Sequence, residues 1–159
     1  MRTLKTYKKL HKSESAAEKH TKKINKRGGI VKIFKKSGHT ILTYYFPLMI
    51  YGFRNKASKK KGKHGTFYTL QPQNRPTNKV KLTFNNPLIL EDNEIKPFEG
   101  LPLEYLFWKW FPKTDLLRES NKKDMSTGEM IDYLVTNKAR EIGYDAIIMG
   151  SVEVVDLRE

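Results

Sequence analysis

Cysteine is absent from this chain, which excludes a disulfide framework, thiolate-ligated zinc, an iron–sulfur cluster and a thiol nucleophile. Long hydrophobic runs are missing as well. The longest apolar stretch, Ile41 to Phe53, is broken by Thr43, Pro47 and Gly52 and falls short of the ~18–20 residues that a spanning helix needs. The first twelve residues are basic but lead into no apolar core of the signal-peptide kind, so a cytoplasmic protein is expected. Nor is there a glycine-rich phosphate loop, a Ser-His-Asp ordering or a zinc-protease motif. The histidines, His11, His20, His39 and His64, lack a ligand-spaced carboxylate or a close second histidine, and no metal is expected.

Acidic residues are scarce, and they are scarce unevenly. The 159 residues carry 31 Lys and Arg against 17 Asp and Glu, a net charge of +14. Residues 1–64 hold 19 basic and only 2 acidic side chains, whereas residues 65–159 hold 12 and 15. A polyanionic neighbour for the first part is the natural implication, because +17 over 64 residues exceeds what solubility requires. The apolar share of 38%, with 11% aromatics, is enough to build a core and excludes wholesale disorder.

Residues 1–29 contain few large apolar groups and read as a basic arm, partly helical or flexible. Within it, Ser15 and Glu18 have capping-box spacing and Gly28-Gly29 makes a stop, which predicts a helix of about three turns. Residues 30–159 read as a single α+β domain, compact and mostly antiparallel with flanking helices. Ile30 to Phe34 and Thr40 to Phe46 predict a hairpin about Ser37-Gly38, and Pro47 should end its second strand. Leu48 to Phe53, Gly65 to Leu70, Lys79 to Phe84 and Leu88 to Leu90 read as further strands, with a lysine-rich loop between Arg54 and His64. A helix is expected near Leu103 to Phe111. A second is expected from the Ser126/Glu129 capping box to Gly143, followed by a hairpin of Asp145 to Met149 and Val152 to Val155 about Gly150-Ser151.

The order of these pieces carries a resemblance. A strand ending Ile50-Tyr51-Gly52, a lysine-rich loop, His64-Gly65-Thr66-Phe67-Tyr68-Thr69, a strand leading to Asn86-Pro87-Leu88, a helix, Gly143-Tyr144-Asp145 and finally Val152-Glu153-Val154 resembles the ADP-ribosyltransferase-like fold. The likeness is to its small divergent bacteriophage-type members, and it covers roughly residues 44–159. It implies a mono-ADP-ribosyltransferase-like protein that uses NAD as substrate and modifies a host macromolecule. Glu153 then stands at the catalytic carboxylate, with Tyr51, Gly52, Arg54, Phe67 and Tyr68 around NAD. Tyr51 occupies the place where the family carries His or Arg, so Arg54 or Lys56 would have to supply the cation. In another register His64-Gly65-Thr66 becomes the first motif, but no aromatic then falls in the second motif at Lys79 to Phe84.

The chemistry supports a carboxylate at residue 153 on independent grounds. Glycosyl transfer from NAD passes through a sugar cation, which a strand-borne carboxylate can stabilise. The competing readings are a solvent-facing strand glutamate for Glu153 and ordinary cross-strand packing for Phe67 and Tyr68. Lys59, Lys60, Lys61 and Lys63 are the candidate nucleic-acid contacts. Two further readings follow: a catalytically inactive basic module of the same fold that binds nucleic acid or protein, and an RNA-processing phosphotransferase suggested by His64-Gly65-Thr66 beside that loop.

Overall fold

The computed structural model describes residues 1–55, 64–74, 76–98 and 100–158. The expected lysine contacts at 59, 60, 61 and 63, and the alternative cation Lys56, lie outside the described residues. The chain is α+β, with two mostly antiparallel sheets of three and six strands. Among the described residues no helix is long and apolar enough to cross a membrane.

The first sheet is built where an arm was expected. Strand β1 (Tyr7–His11), helix α1 (Glu14–Lys26), strand β2 (Ile30–Lys36) and strand β3 (His39–Tyr45) form a unit in which β3 lies between β1 and β2. Both outer strands run antiparallel to β3, so β1 and β2 are parallel to each other and α1 is the crossover between them. The division expected at residue 29 therefore does not coincide with the sheets: β1 and α1 belong with β2 and β3. The physical reason is that Ala17 and Ile24 bury one stripe of α1 against Leu42, Val31, Tyr44 and Phe46, and that β1 joins this small core through its ladder with β3 and the stacking of Tyr7 on Tyr44. The helix starts two residues earlier than its Ser15 signal suggested, because Ser13 is the cap and its hydroxyl accepts from the Ala16 N–H at 3.2 Å. The hairpin at Ser37-Gly38 is as expected. Both residues have positive φ, 50° and 74°, and Lys36 pairs with His39 across the turn.

The second sheet has the order β6-β4-β5-β9-β8-β7. Its strands are β4 (Leu48–Asn55), β5 (Thr66–Thr69), β6 (Thr77–Phe84), β7 (Pro87–Leu90), β8 (Ala146–Met149) and β9 (Glu153–Asp156). Between β7 and β8 run α2 (Asp92–Ile95), a 3-10 turn, α3 (Glu104–Trp110), α4 (Leu116–Lys123) and α5 (Thr127–Ile142), and β7 and β8 pair in parallel. Alternation along the strands splits the sheet into two faces. On one face Leu88, Leu90, Ile147, Met149 and Val155 pack against Leu106, Phe107, Ile131, Val135 and Ala139 of the helices. On the other, Leu82, Phe84, Ile89, Ile148 and Val154 gather Tyr68 and Ile50, with Leu4 against them. The first residues reach this sheet through an antiparallel bridge from Arg2 to Ile89 and a 2.6 Å ion pair of Arg2 with Glu91.

Helix α5 is delimited as its sequence signals predict. Ser126 accepts from the Glu129 N–H, Glu129 accepts from the Ser126 N–H, and Gly143 follows the last turn with φ 100°. The short helices α2 and α4 were not anticipated; α4 is capped by Asp115, which accepts from the Arg118 N–H at 3.1 Å.

Candidate functional site

Glu153 opens β9, directly across from Thr69 on β5 and Met149 on β8. Strand alternation puts it on the same face as Val155, the face covered by helices. There it lines a cavity of about 170 Å³ with Phe67, Met149, Ile131, Asp132 and the 100–103 loop. The solvent-facing alternative for Glu153 is thus set aside: the carboxylate is half-buried, and burial pushes its pKa above the usual value. Phe67 is the aromatic wall of the same cavity and packs on the helix-side core.

Asp132, on α5, is the residue that sequence reasoning missed. Its carboxyl is pushed up to about 6, first by burial, then by the charges of Glu153 and Glu129. A helix position facing a strand from a different part of the chain leaves no local mark. The only sequence hint is an acidic residue at 132 on the side of α5 that carries buried Ile131 and Val135.

The other expected NAD contacts divide between the two faces. Tyr51 shares the Glu153 face: it pairs with Lys81, its neighbours Leu48 and Ile50 turn the opposite way, and Phe53 and Thr69 connect its face to Glu153 across β5. It is 46% exposed and does not line the cavity. Gly52 and Tyr68 lie on the opposite face, where a Cβ at residue 52 would come 2.7 Å from the Tyr68 Cβ and 2.9 Å from Leu82. Arg54, two residues on, follows Gly52 to that face. The five expected contacts are therefore not brought together in one cleft, and Arg54 is not placed to replace the missing cation.

The Lys79 ammonium lies 4.3 Å from the centre of the Tyr51 ring, and Lys79 pairs with Phe53 on the Glu153 face. Beside it Lys81 is exposed on the same face. His64, the first residue of the alternative motif, stands edge-on to Tyr133 at 5.5 Å rather than in the Glu153 cavity. Among the described residues no group of three or more His, Asp or Glu is arranged to hold a metal ion.

Comparison with protein-family models, with curated proteins and with solved structures finds no match for this chain.

Proposed function

We propose that the six-stranded unit is a mono-ADP-ribosyltransferase-like catalyst of the ADP-ribosyltransferase-like fold, moving ADP-ribose from NAD to a host macromolecule. One observation carries this reading: Glu153 and Phe67, two of the three positions expected to converge on one cleft, line a single cavity, and the third, Tyr51, stands outside it on the same sheet face. At about 170 Å³ that cavity admits a ring-sized group and not a whole dinucleotide. The nicotinamide ring would enter it, with the ribose at its mouth and the pyrophosphate over the open sheet face towards Tyr51 and Lys79.

In the step proposed, the bond between the nicotinamide nitrogen and ribose C1′ breaks with its electron pair passing to the nicotinamide ring. The ionised Glu153 carboxylate accepts hydrogen bonds from the ribose hydroxyls and stabilises the positive charge developing on the sugar. A lone pair of the acceptor closes the new bond at C1′. The proton that the acceptor sheds passes to Asp132, whose raised pKa of about 6 suits a base working near neutrality. Phe67 walls the ring site and keeps water from one side of the sugar.

Transfer of label from NAD, with calorimetric titration of NAD beside it, tests the reading. The wild type should bind near one NAD per chain, and Glu153→Gln should fold normally yet lose roughly 100-fold or more in transfer. Full activity in that variant would remove Glu153 from the chemistry.

A second reading, a binding module of the same fold without catalysis, is favoured by the concentration of charge in residues 1–64. It predicts no NAD binding at millimolar concentration and an intact polyanion affinity.

A further inference from the structure

The three-stranded unit has a site of its own. Between the second half of α1 and the ends of β1 and β3 lies a cavity of about 300 Å³ lined by Tyr7, His20, Lys23, Arg27, Tyr44 and Phe46. Its rings form a contiguous aromatic floor. Tyr7 and Tyr44 are stacked with centroids 5.3 Å apart, and Phe46 meets Tyr44 edge-on at 6.1 Å. His20 closes the floor at 5.4 Å from Tyr44. Burial and the neighbouring His11, Lys9 and Lys23 lower the pKa of His20, which shares a 2.9 Å hydrogen bond with His11.

Cations stand over this floor. Arg27 lies 5.4 Å from the centre of Phe46 and Lys5 lies 5.2 Å from that of Tyr7. Residues 1–46 contain 13 basic side chains and 2 acidic ones, Glu14 and Glu18. Both acids lie in the first half of α1 and line a different hollow, where Glu14 is paired with Lys35 at 2.6 Å. Among the described residues no acidic side chain lines the aromatic cavity.

We propose that this cavity binds single-stranded nucleic acid, with an unpaired base against the Tyr7, Tyr44 and Phe46 rings and the adjoining phosphates on Lys23 and Arg27. Aromatic rings inside a cationic groove are how proteins hold unpaired bases without reading their identity. A concave site of this size selects against a duplex, whose bases are already stacked and paired. The proposal is independent of whether the six-stranded unit turns over NAD.

The test is fluorescence anisotropy of the full chain with labelled 12-nucleotide oligouridylate, oligothymidylate, a duplex of mixed sequence and polyglutamate, each over a salt series. Both single strands should bind, with the duplex and polyglutamate weaker; a preference for the RNA strand over the DNA strand would identify RNA as the source. Lys23→Ala with Arg27→Ala should weaken single-strand binding roughly tenfold and flatten the log K against log salt slope by about 1.4. Lys8→Ala with Lys32→Ala removes the same charge from the opposite face of the sheet, where both pair with Thr43, and should change affinity less than threefold. Because Tyr44 and Phe46 also support the small core, stacking is tested at the more exposed Tyr7. Tyr7→Phe should retain affinity and Tyr7→Leu should lose it several-fold. Equal losses in the two lysine-arginine and lysine-lysine pairs, equal affinity for duplex or polyglutamate, or no binding at low salt would each overturn the proposal.

Discussion

Lys79 and Tyr51 meet in a cation–π contact of 4.3 Å on the sheet face that also carries Glu153. The pair sets a positive charge, carried by the neighbouring strand, against the ring of residue 51. If the pyrophosphate of NAD lies there, Lys79→Ala should weaken NAD binding by about 1–1.4 kcal/mol, or roughly five- to tenfold, as a charge-assisted contact on an open face does. Arg54→Ala, on the other face, should leave it unchanged. Calorimetric titration of both variants checks this, and equal losses would take Lys79 out of the phosphate site.

Asp132 gives the protein a distinct pH signature. Its folded pKa of about 6 lies above its ordinary 3.8, so between these values the folded state holds a proton that the unfolded state has released. Stability contributed by the protonated carboxyl is therefore complete below about pH 4 and is lost as pH rises through 6. Asp132→Asn should stabilise the protein at pH 7.5 by about 1 kcal/mol, the side chain being only partly shielded from solvent, and by nothing at pH 4. Urea unfolding at the two pH values measures the difference, and an equal effect at both would show that Asp132 titrates normally.

Gly52→Ala should destabilise the six-stranded sheet by about 1–3 kcal/mol, because the new methyl meets the Tyr68 Cβ at 2.7 Å and Leu82 at 2.9 Å. Urea unfolding of the variant gives the number. A trimmed neighbour should recover part of it, so Gly52→Ala with Leu82→Val is expected to lie above the sum of the two single variants.

Ser126→Ala removes the hydroxyl that accepts from the Glu129 N–H and should cost about 1 kcal/mol in thermal or urea unfolding. Ser126→Asp, which keeps an acceptor at the helix start, should recover most of it. Activity per folded molecule should be unaffected in either variant if Asp132, a turn and a half further on, keeps its place.

Local signals were legible in the sequence wherever their cause is local. The Ser37-Gly38 turn, the Ser126/Glu129 box, Gly143 after α5 and the β8–β9 hairpin all depend on residues within one or two turns of each other. The start of α1 was displaced because Ser13 and Ser15 are both competent caps, and the burial of Ala17 and Ile24 favours the frame that begins at Ser13.

Charge segregation, the strand pieces from β2 to β9 and Glu153 as a strand-borne carboxylate were thus determined by the sequence itself. Pairing of β1 with β3, insertion of β5 between β4 and β9, and the approach of Asp132 to Glu153 were decided only by tertiary structure. The reason is register. A strand fixes which of its residues alternate, but its partners fix which face meets the helices, and that choice put Tyr51, Phe67 and Glu153 on one side and Gly52 and Tyr68 on the other.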